Sequence, residues 1–112
     1  MSKPPAFQFY PRDYVMSTRV MTPEQRGVYM DLLCFAWDGD GLPDELRDMA
    51  AMVGITLAKF TRIWTVIGGK FEQGEDGRWR NPRQEQQRNE LEELREKRRR
   101  AGQASAEARA SA

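Results

Sequence analysis

The stretch Asp44 to Ile67 reads DELRDMAAMVGITLAKFTRIWTVI, with apolar residues at helical spacing on both sides of one glycine. Leu46, Met49, Ala50 and Val53 lie before the break; Leu57, Phe60, Ile63, Trp64 and Ile67 follow it. Gly54 can take the left-handed conformation that ends a helix, and the hydroxyl of Thr56 can cap the next one. Small Ala50 lets two helices approach closely ahead of the turn. Ile55, Phe60 and Ile63 follow at offsets that point into the angle between them. The pattern predicts a helix-turn-helix.

Working outward, Gly68-Gly69 breaks the second helix, and the periodicity changes. Lys70-Phe71-Glu72 and Arg78-Trp79-Arg80 are short alternating segments around the turn-rich Gln73-Gly74-Glu75-Asp76-Gly77. A β-hairpin directly behind a helix-turn-helix is the order of a winged helix, with Leu42 placed to supply a short third strand. Phe71 and Trp79 share the core-facing side, and Lys70, Arg78 and Arg80 take the other face or its edges. The fold class expected is mostly α with a small β-hairpin: a winged helix-turn-helix plus a C-terminal charged helix.

On the N-terminal side, Thr22-Pro23-Glu24-Gln25 combines a capping residue, a proline at the first helical position and a glutamine that completes a capping box. That helix runs to about Trp37 on an apolar face of Val28, Tyr29, Leu32, Leu33, Phe35 and Ala36. Cys34 sits near this face and reads as a small core or boundary residue. Gly27 costs roughly 1 kcal/mol in a helix relative to alanine, which predicts close contact with another segment. Met1 to Ala6 reads as a loose arm, since Pro4-Pro5 disfavours helix. Phe7 to Pro11 reads as an extended clamp laying its rings across the core, and Tyr10 and Tyr14 read as packing residues.

Asp38-Gly39-Asp40-Gly41 resembles the opening of a calcium loop, then departs from it. Leu42, Pro43 and Met49 stand where an EF-hand needs an oxygen ligand, a glycine and a glutamate. The segment reads as a turn, with Asp44 or Glu45 favouring the start of the next helix.

From Pro82 the composition shifts. Arg83 to Arg100 is polar and helix-favouring, with Leu91 and Leu94 its only aliphatic residues. Glu93–Lys97 and Glu96–Arg100 are favourable i,i+4 pairs, and two leucines three apart do not make a coiled coil. The expected layout is a winged-helix-like domain over residues 1–82, a charged helix over 83–100 whose first turns dock, and a disordered Ala/Ser-rich tail over 101–112.

Composition excludes several classes of function. The chain has 112 residues, one cysteine and no histidine. No internal disulfide, no Cys/His zinc site and no histidine-based acid–base chemistry is available. There is no phosphate-binding loop and no nucleophile–base pair, and neither an enzymatic role nor a cofactor is expected. No apolar leader and no long apolar run occurs, which predicts a soluble, cytoplasmic protein. Net charge is +1 yet unevenly spread. Met1–Asp48 holds 5 basic and 8 acidic residues, net −3, whereas Lys59–Arg83 holds 6 basic and 3 acidic, net +3. The positive charge begins in the second helix of the helix-turn-helix.

Tyr10-Pro11-Arg12-Asp13-Tyr14, Glu24-Gln25-Arg26-Gly27-Val28-Tyr29-Met30-Asp31-Leu32-Leu33, Trp37…Gly41-Leu42-Pro43-Asp44, Phe71, and Asp76-Gly77-Arg78-Trp79…Arg83 follow one another in order. Together they resemble the YdaU-type family of phages and prophages, a domain of unknown function found at the N-terminus of proteins similar to phage replication initiators. The similarity spans roughly Ala6 to Gly102. It implies a winged-helix-like fold and a setting in DNA replication; relatives often continue beyond the point where this chain stops.

Two functions are expected from different classes. The first is a DNA-binding module acting in replication initiation. Burial of the apolar stripe on the helix after Thr56 leaves Lys59, Thr61, Arg62 and Thr65 outward, with Thr56 at its start. Arg62 is then placed for a bidentate contact to guanine in double-stranded DNA, and Lys59, Lys70, Arg78 and Arg80 for phosphates. The second is an adaptor that recruits a replication helicase or its loader without reading DNA.

Overall fold

The computed structural model describes residues 5–111. The chain is mostly helical, with a small two-stranded antiparallel sheet. Its elements are α1 (Pro11–Ser17), α2 (Pro23–Asp38), α3 (Leu46–Val53), α4 (Leu57–Ile67), a 3-10 turn (Gly68–Lys70), β1 (Glu72–Gln73), β2 (Trp79–Arg80) and α5 (Pro82–Ser111).

The α2 capping box forms as its sequence predicts. The Thr22 hydroxyl accepts from the Gln25 backbone N–H, and the Gln25 side-chain Oε1 accepts from the Thr22 N–H. Val28, Tyr29, Leu32, Leu33, Ala36 and Trp37 form the buried stripe. Cys34 and Phe35 are exposed, contrary to expectation. Both fall on the far side of a helix whose buried positions recur as pairs four apart. Partial desolvation by its neighbours, then the nearby Asp31 carboxylate, raise the pKa of the Cys34 thiol even though its surface is open. Gly27 also departs from expectation: a Cβ there would meet nothing within 4 Å. The tight approach belongs to Gly68 instead, where a Cβ would sit 2.7 Å from the Trp64 ring.

α3 and α4 close the core. Gly54 takes φ 78°, its N–H donates to Ala50 O, and Ile55 N donates to the same carbonyl. Thr56 caps α4 by accepting from the Lys59 N–H. The pair bends by 102° across this turn. Met49, Ala50, Phe60, Ile63 and Ile67 bury against the α2 stripe, with Leu42, Phe71 and Met21 in the same cluster. Each large side chain fully removed from water contributes about 1.5–3 kcal/mol. Val53 and Trp79, expected inside, are half-buried against this cluster, and Trp37 is buried apart from it.

The hairpin is shorter than its alternation suggests. Glu72 pairs with Arg80 and Gln73 with Trp79. Leu42 joins through a single antiparallel bridge to Trp79 instead of a third strand. Lys70 belongs to the 3-10 turn, because Gly68-Gly69 lets the chain carry on coiling before it extends. Phe71 and Trp79 do face inward: both rings pack on Trp64, with centroids 5.8 and 5.2 Å away.

The N-terminal segment lies against the body as a clamp. Phe7 packs on Trp37, Phe9 on Tyr14, and Tyr14 stacks on Tyr29. The Trp37 indole N–H donates to the Pro5 carbonyl. Of the expected loose arm, residues 1–4 lie outside the described span. Pro11 occupies the first turn of α1, a helix not anticipated from the sequence.

α5 docks by its first two turns only. Asn81 caps it, accepting from Gln84 N, and the buried Gln84 amide donates to Leu33 O. Gln87 bonds to Gln8 in both directions. The Arg88 guanidinium lies 4.4 Å over the Trp37 ring and donates to Trp37 O. Beyond Arg88, every side-chain hydrogen bond and ion pair of α5 among the described residues stays within the helix. The helix nevertheless continues through Ser111, where the sequence reading expects a disordered tail. Five alanines between Ala101 and Ala110 supply the strongest helix former, and propagation from a formed helix avoids the cost of a new nucleus. The long axis of the molecule, 67 Å against 30 and 22 Å, records this projection.

Candidate nucleic-acid interface

Of the eight residues that sequence reasoning assigns to an interface, five share one element. Thr56, Lys59, Thr61, Arg62 and Thr65 are all exposed, at the start and along the outer face of α4. That face is free because α4 spends its other side on Phe60, Ile63 and Ile67.

Each of the five is conditioned by its neighbours. The Lys59 ammonium lies 2.9 Å from a Glu24 carboxylate oxygen, with both side chains about half exposed (48% and 52%). A pair so open to water contributes less than about 1 kcal/mol, so the lysine can be drawn to another anion. Arg62 forms no ion pair among the described residues. It lines an open depression of about 230 Å³ with Thr22, Glu24, Gln25, Lys59 and Ile63, where the N-terminus of α2 meets α4. The hydroxyls of Thr61 and Thr65 donate to Leu57 O and Arg62 O, at 2.7 and 2.6 Å. Their protons are committed to the helix, so each oxygen faces outward as an acceptor, suited to the amino group of adenine or cytosine.

The other three behave differently. Arg78 does not stand free on a wing. Its guanidinium folds back on the α2–α3 loop and donates to the carbonyls of Gly39, Asp40 and Gly41, at 3.0, 3.2 and 2.6 Å. These are the carbonyls of the segment that resembles a calcium loop, and a side-chain cation already satisfies them. Arg80 grips Asp76 with two nitrogens, at 2.7 and 3.0 Å, and reaches the Asp40 carboxylate at 3.3 Å. Hydrogen bonds from Arg80, then from the Arg78 backbone, lower the Asp76 carboxyl to about 2. The same pairing raises the Arg80 pKa. Lys70 is half-buried, and its carbonyl accepts from the Asn81 amide.

Asp40, Asp76 and Arg88 are the residues that sequence reasoning passed over. Asp40 adopts φ 52°, which turns its carboxylate toward Arg80 and, at 3.7 Å, Arg88. An Asp within an Asp-Gly-Asp-Gly run was a signal for such a turn; nothing in the sequence pairs it with arginines some 40 positions away. On its other side the hairpin faces α5 across an open groove of about 670 Å³ whose lining includes Glu72, Glu85, Glu90 and Glu93. Phosphates are repelled there, so the electrostatics separate the outer face of α4 from the hairpin.

The fold and site define a small, mostly helical protein with a bent helix pair, a short hairpin and a projecting helix. The chain belongs to the DUF1376 family, described as a protein of unknown function, which matches residues 5–88. No curated protein and no solved structure matches it. The matched span ends at Arg88, the last α5 residue whose side chain bonds to the body. Among the described residues no group of three His, Cys, Asp or Glu side chains is placed to hold a metal, and no single helix is long and apolar enough to cross a membrane.

Proposed function

We propose that the chain is a winged helix-turn-helix that binds double-stranded DNA through the outer face of α4. The observation carrying this reading is the 102° bend between α3 and α4 across a left-handed glycine, followed directly by a hairpin. In that arrangement the second helix of the pair enters the major groove. Arg62 makes the base contact, Thr61 and Thr65 accept from base amino groups, and Lys59 exchanges Glu24 for a phosphate. The resemblance to a phage and prophage family supports replication initiation as the setting of this proposed activity, at an origin or as an accessory to an initiator.

One observation favours a second reading. Arg78 and Arg80 are engaged inside the fold, which leaves the wing without free cations. A winged helix so depleted suits an adaptor that recruits a helicase or its loader. Titration of the protein against duplex DNA at two salt concentrations separates the readings. Under the DNA reading Arg62→Ala weakens specific binding by about 1–3 kcal/mol and relaxes base choice. Identical binding by parent and variant on every duplex removes α4 from the interface and leaves the adaptor reading.

A further inference from the structure

α5 beyond Arg88 projects with no side-chain hydrogen bond or ion pair to the body among the described residues, and its charge is sharply divided. Glu90 to Glu93 carries three carboxylates and no cation, whereas Arg95 to Arg100 carries five cations and one carboxylate, Glu96. Glu96 accepts from Arg99 and Arg100; Arg95, Lys97 and Arg98 form no ion pair among the described residues. At about 1.5 Å of rise per residue, five cations in six positions give roughly one charge per 1.8 Å of helix axis. Duplex DNA carries about one phosphate per 1.7 Å. Leu91 and Leu94 are the only large apolar side chains on the projection, too few to form the apolar face that a membrane surface requires.

We propose that Arg95, Lys97, Arg98, Arg99 and Arg100 form a second, sequence-independent contact to the phosphate backbone of duplex DNA, flanking the site occupied by α4. The inference rests on the DNA reading above and extends it. The acidic turns before it and the acidic groove beside the hairpin keep the base of α5 off the duplex, so contact is confined to the distal turns. Arg95, Arg98 and Arg99 stand at i, i+3 and i+4, on one side of the helix, with Lys97 and Arg100 on the other. Two or three of the five therefore reach phosphates at once.

The test uses the full chain with Lys97→Gln, Arg98→Gln, Arg99→Gln and Arg100→Gln combined. Glutamine keeps helix propensity, and the four side chains touch only α5 itself, so the melting temperature should match the parent. Binding to a duplex of scrambled sequence is measured between about 50 and 200 mM salt, where each lost phosphate contact lowers the slope of log affinity against log salt by about 0.9. The combined variant should lose about two units of slope, and its deficit against the parent should shrink by roughly tenfold across that range. Equal slopes in parent and variant overturn the proposal and leave the α4 reading standing. A lowered slope with no effect of Arg62→Ala supports the α5 contact and removes the one on α4. Absence of duplex binding by the parent overturns both, as does binding to phosphatidylserine vesicles in place of DNA.

Discussion

Arg78→Ala separates a hairpin that contacts phosphate from a hairpin that holds the fold together. The guanidinium donates to three consecutive carbonyls at 2.6 to 3.2 Å. It thereby pins a loop in which Asp40 (φ 52°) and Gly41 (φ 115°) both occupy left-handed backbone. Truncation at Cβ leaves those carbonyls to water and frees the loop. A hydrogen bond to a charged group contributes about 1.5–3 kcal/mol when shielded and less when exposed. Only the Gly41 bond is partly buried, so it carries most of the effect. The total expected is about 2–3 kcal/mol, a large share of the stability of a small domain. That corresponds to a melting temperature lower by roughly 8–20 °C. Thermal unfolding followed by far-ultraviolet circular dichroism measures it, with urea unfolding as a check that the m-value is unchanged. Arg78→Lys should recover little, since an ammonium cannot span three carbonyls as a planar fork does. A variant that melts within about 2 °C of the parent would sink the structural role and return Arg78 to the surface, since 1 kcal/mol alone moves a domain of this size by several degrees.

Four other outcomes are expected. Phe60 is fully buried and stacked on Trp64, so Phe60→Ala should cost about 3–5 kcal/mol in urea unfolding; a loss under about 1 kcal/mol contradicts the helix pairing described here. Gly27→Ala should stabilise by about 0.5–1 kcal/mol, because the site is an open helix position, whereas Gly68→Ala should destabilise by driving a methyl into Trp64; a drop in melting temperature for the first refutes the account of that site. Asp76 titrates near 2 in the folded chain, below its ordinary 3.8, so its contribution is complete above about pH 4 and is lost as pH falls toward 2. Loss of the Arg80 Nη–H signals in nuclear magnetic resonance spectra over that window, absent in Asp76→Asn, checks the sign. A chain ending at Arg88 should keep its cooperative melt, since the bonds of Gln84, Gln87 and Arg88 to the body remain; a non-cooperative melt would show that the distal turns of α5 support the core.

The backbone plan was legible wherever a local rule and the hydrophobic period agreed. Thr22-Pro23-x-Gln25 wrote its capping box in four residues, and Gly54 followed by Thr56 ended one helix and began the next. Phe60, Ile63, Phe71 and Trp79 then followed from period alone. Misreadings came where a neighbour distant in sequence decides. Gly27 looked like a packing glycine because its cost in a helix is local, while the space around it is set by the fold. Cys34 and Phe35 lie outside a stripe whose position around α2 depends on what the helix packs against. The tail from Ala101 is compositionally simple, yet it extends a helix already nucleated and stabilised upstream, so composition alone misjudges it.

Charged residues carry the deeper difficulty. Arg62, Arg78 and Arg80 are indistinguishable as letters: each stands beside a large apolar residue, Ile63 or Trp79, and each lies in the basic stretch of the chain. Geometry divides them. Arg62 projects from a helix whose carbonyls are already satisfied, so its guanidinium has solvent as its partner. Arg78 stands opposite a loop with left-handed residues, whose carbonyls have no helix or sheet to enter and must find donors elsewhere. Arg80 faces two aspartates that the same irregular loops present. The irregular loops therefore engage Arg78 and Arg80 within the chain, whereas the outer face of α4 leaves Arg62 open to a partner. On this geometry Arg62 of α4 and Arg95, Lys97 and Arg98 of α5 are freer to meet a partner than Arg78 and Arg80 of the hairpin, whose guanidiniums are already held by the chain.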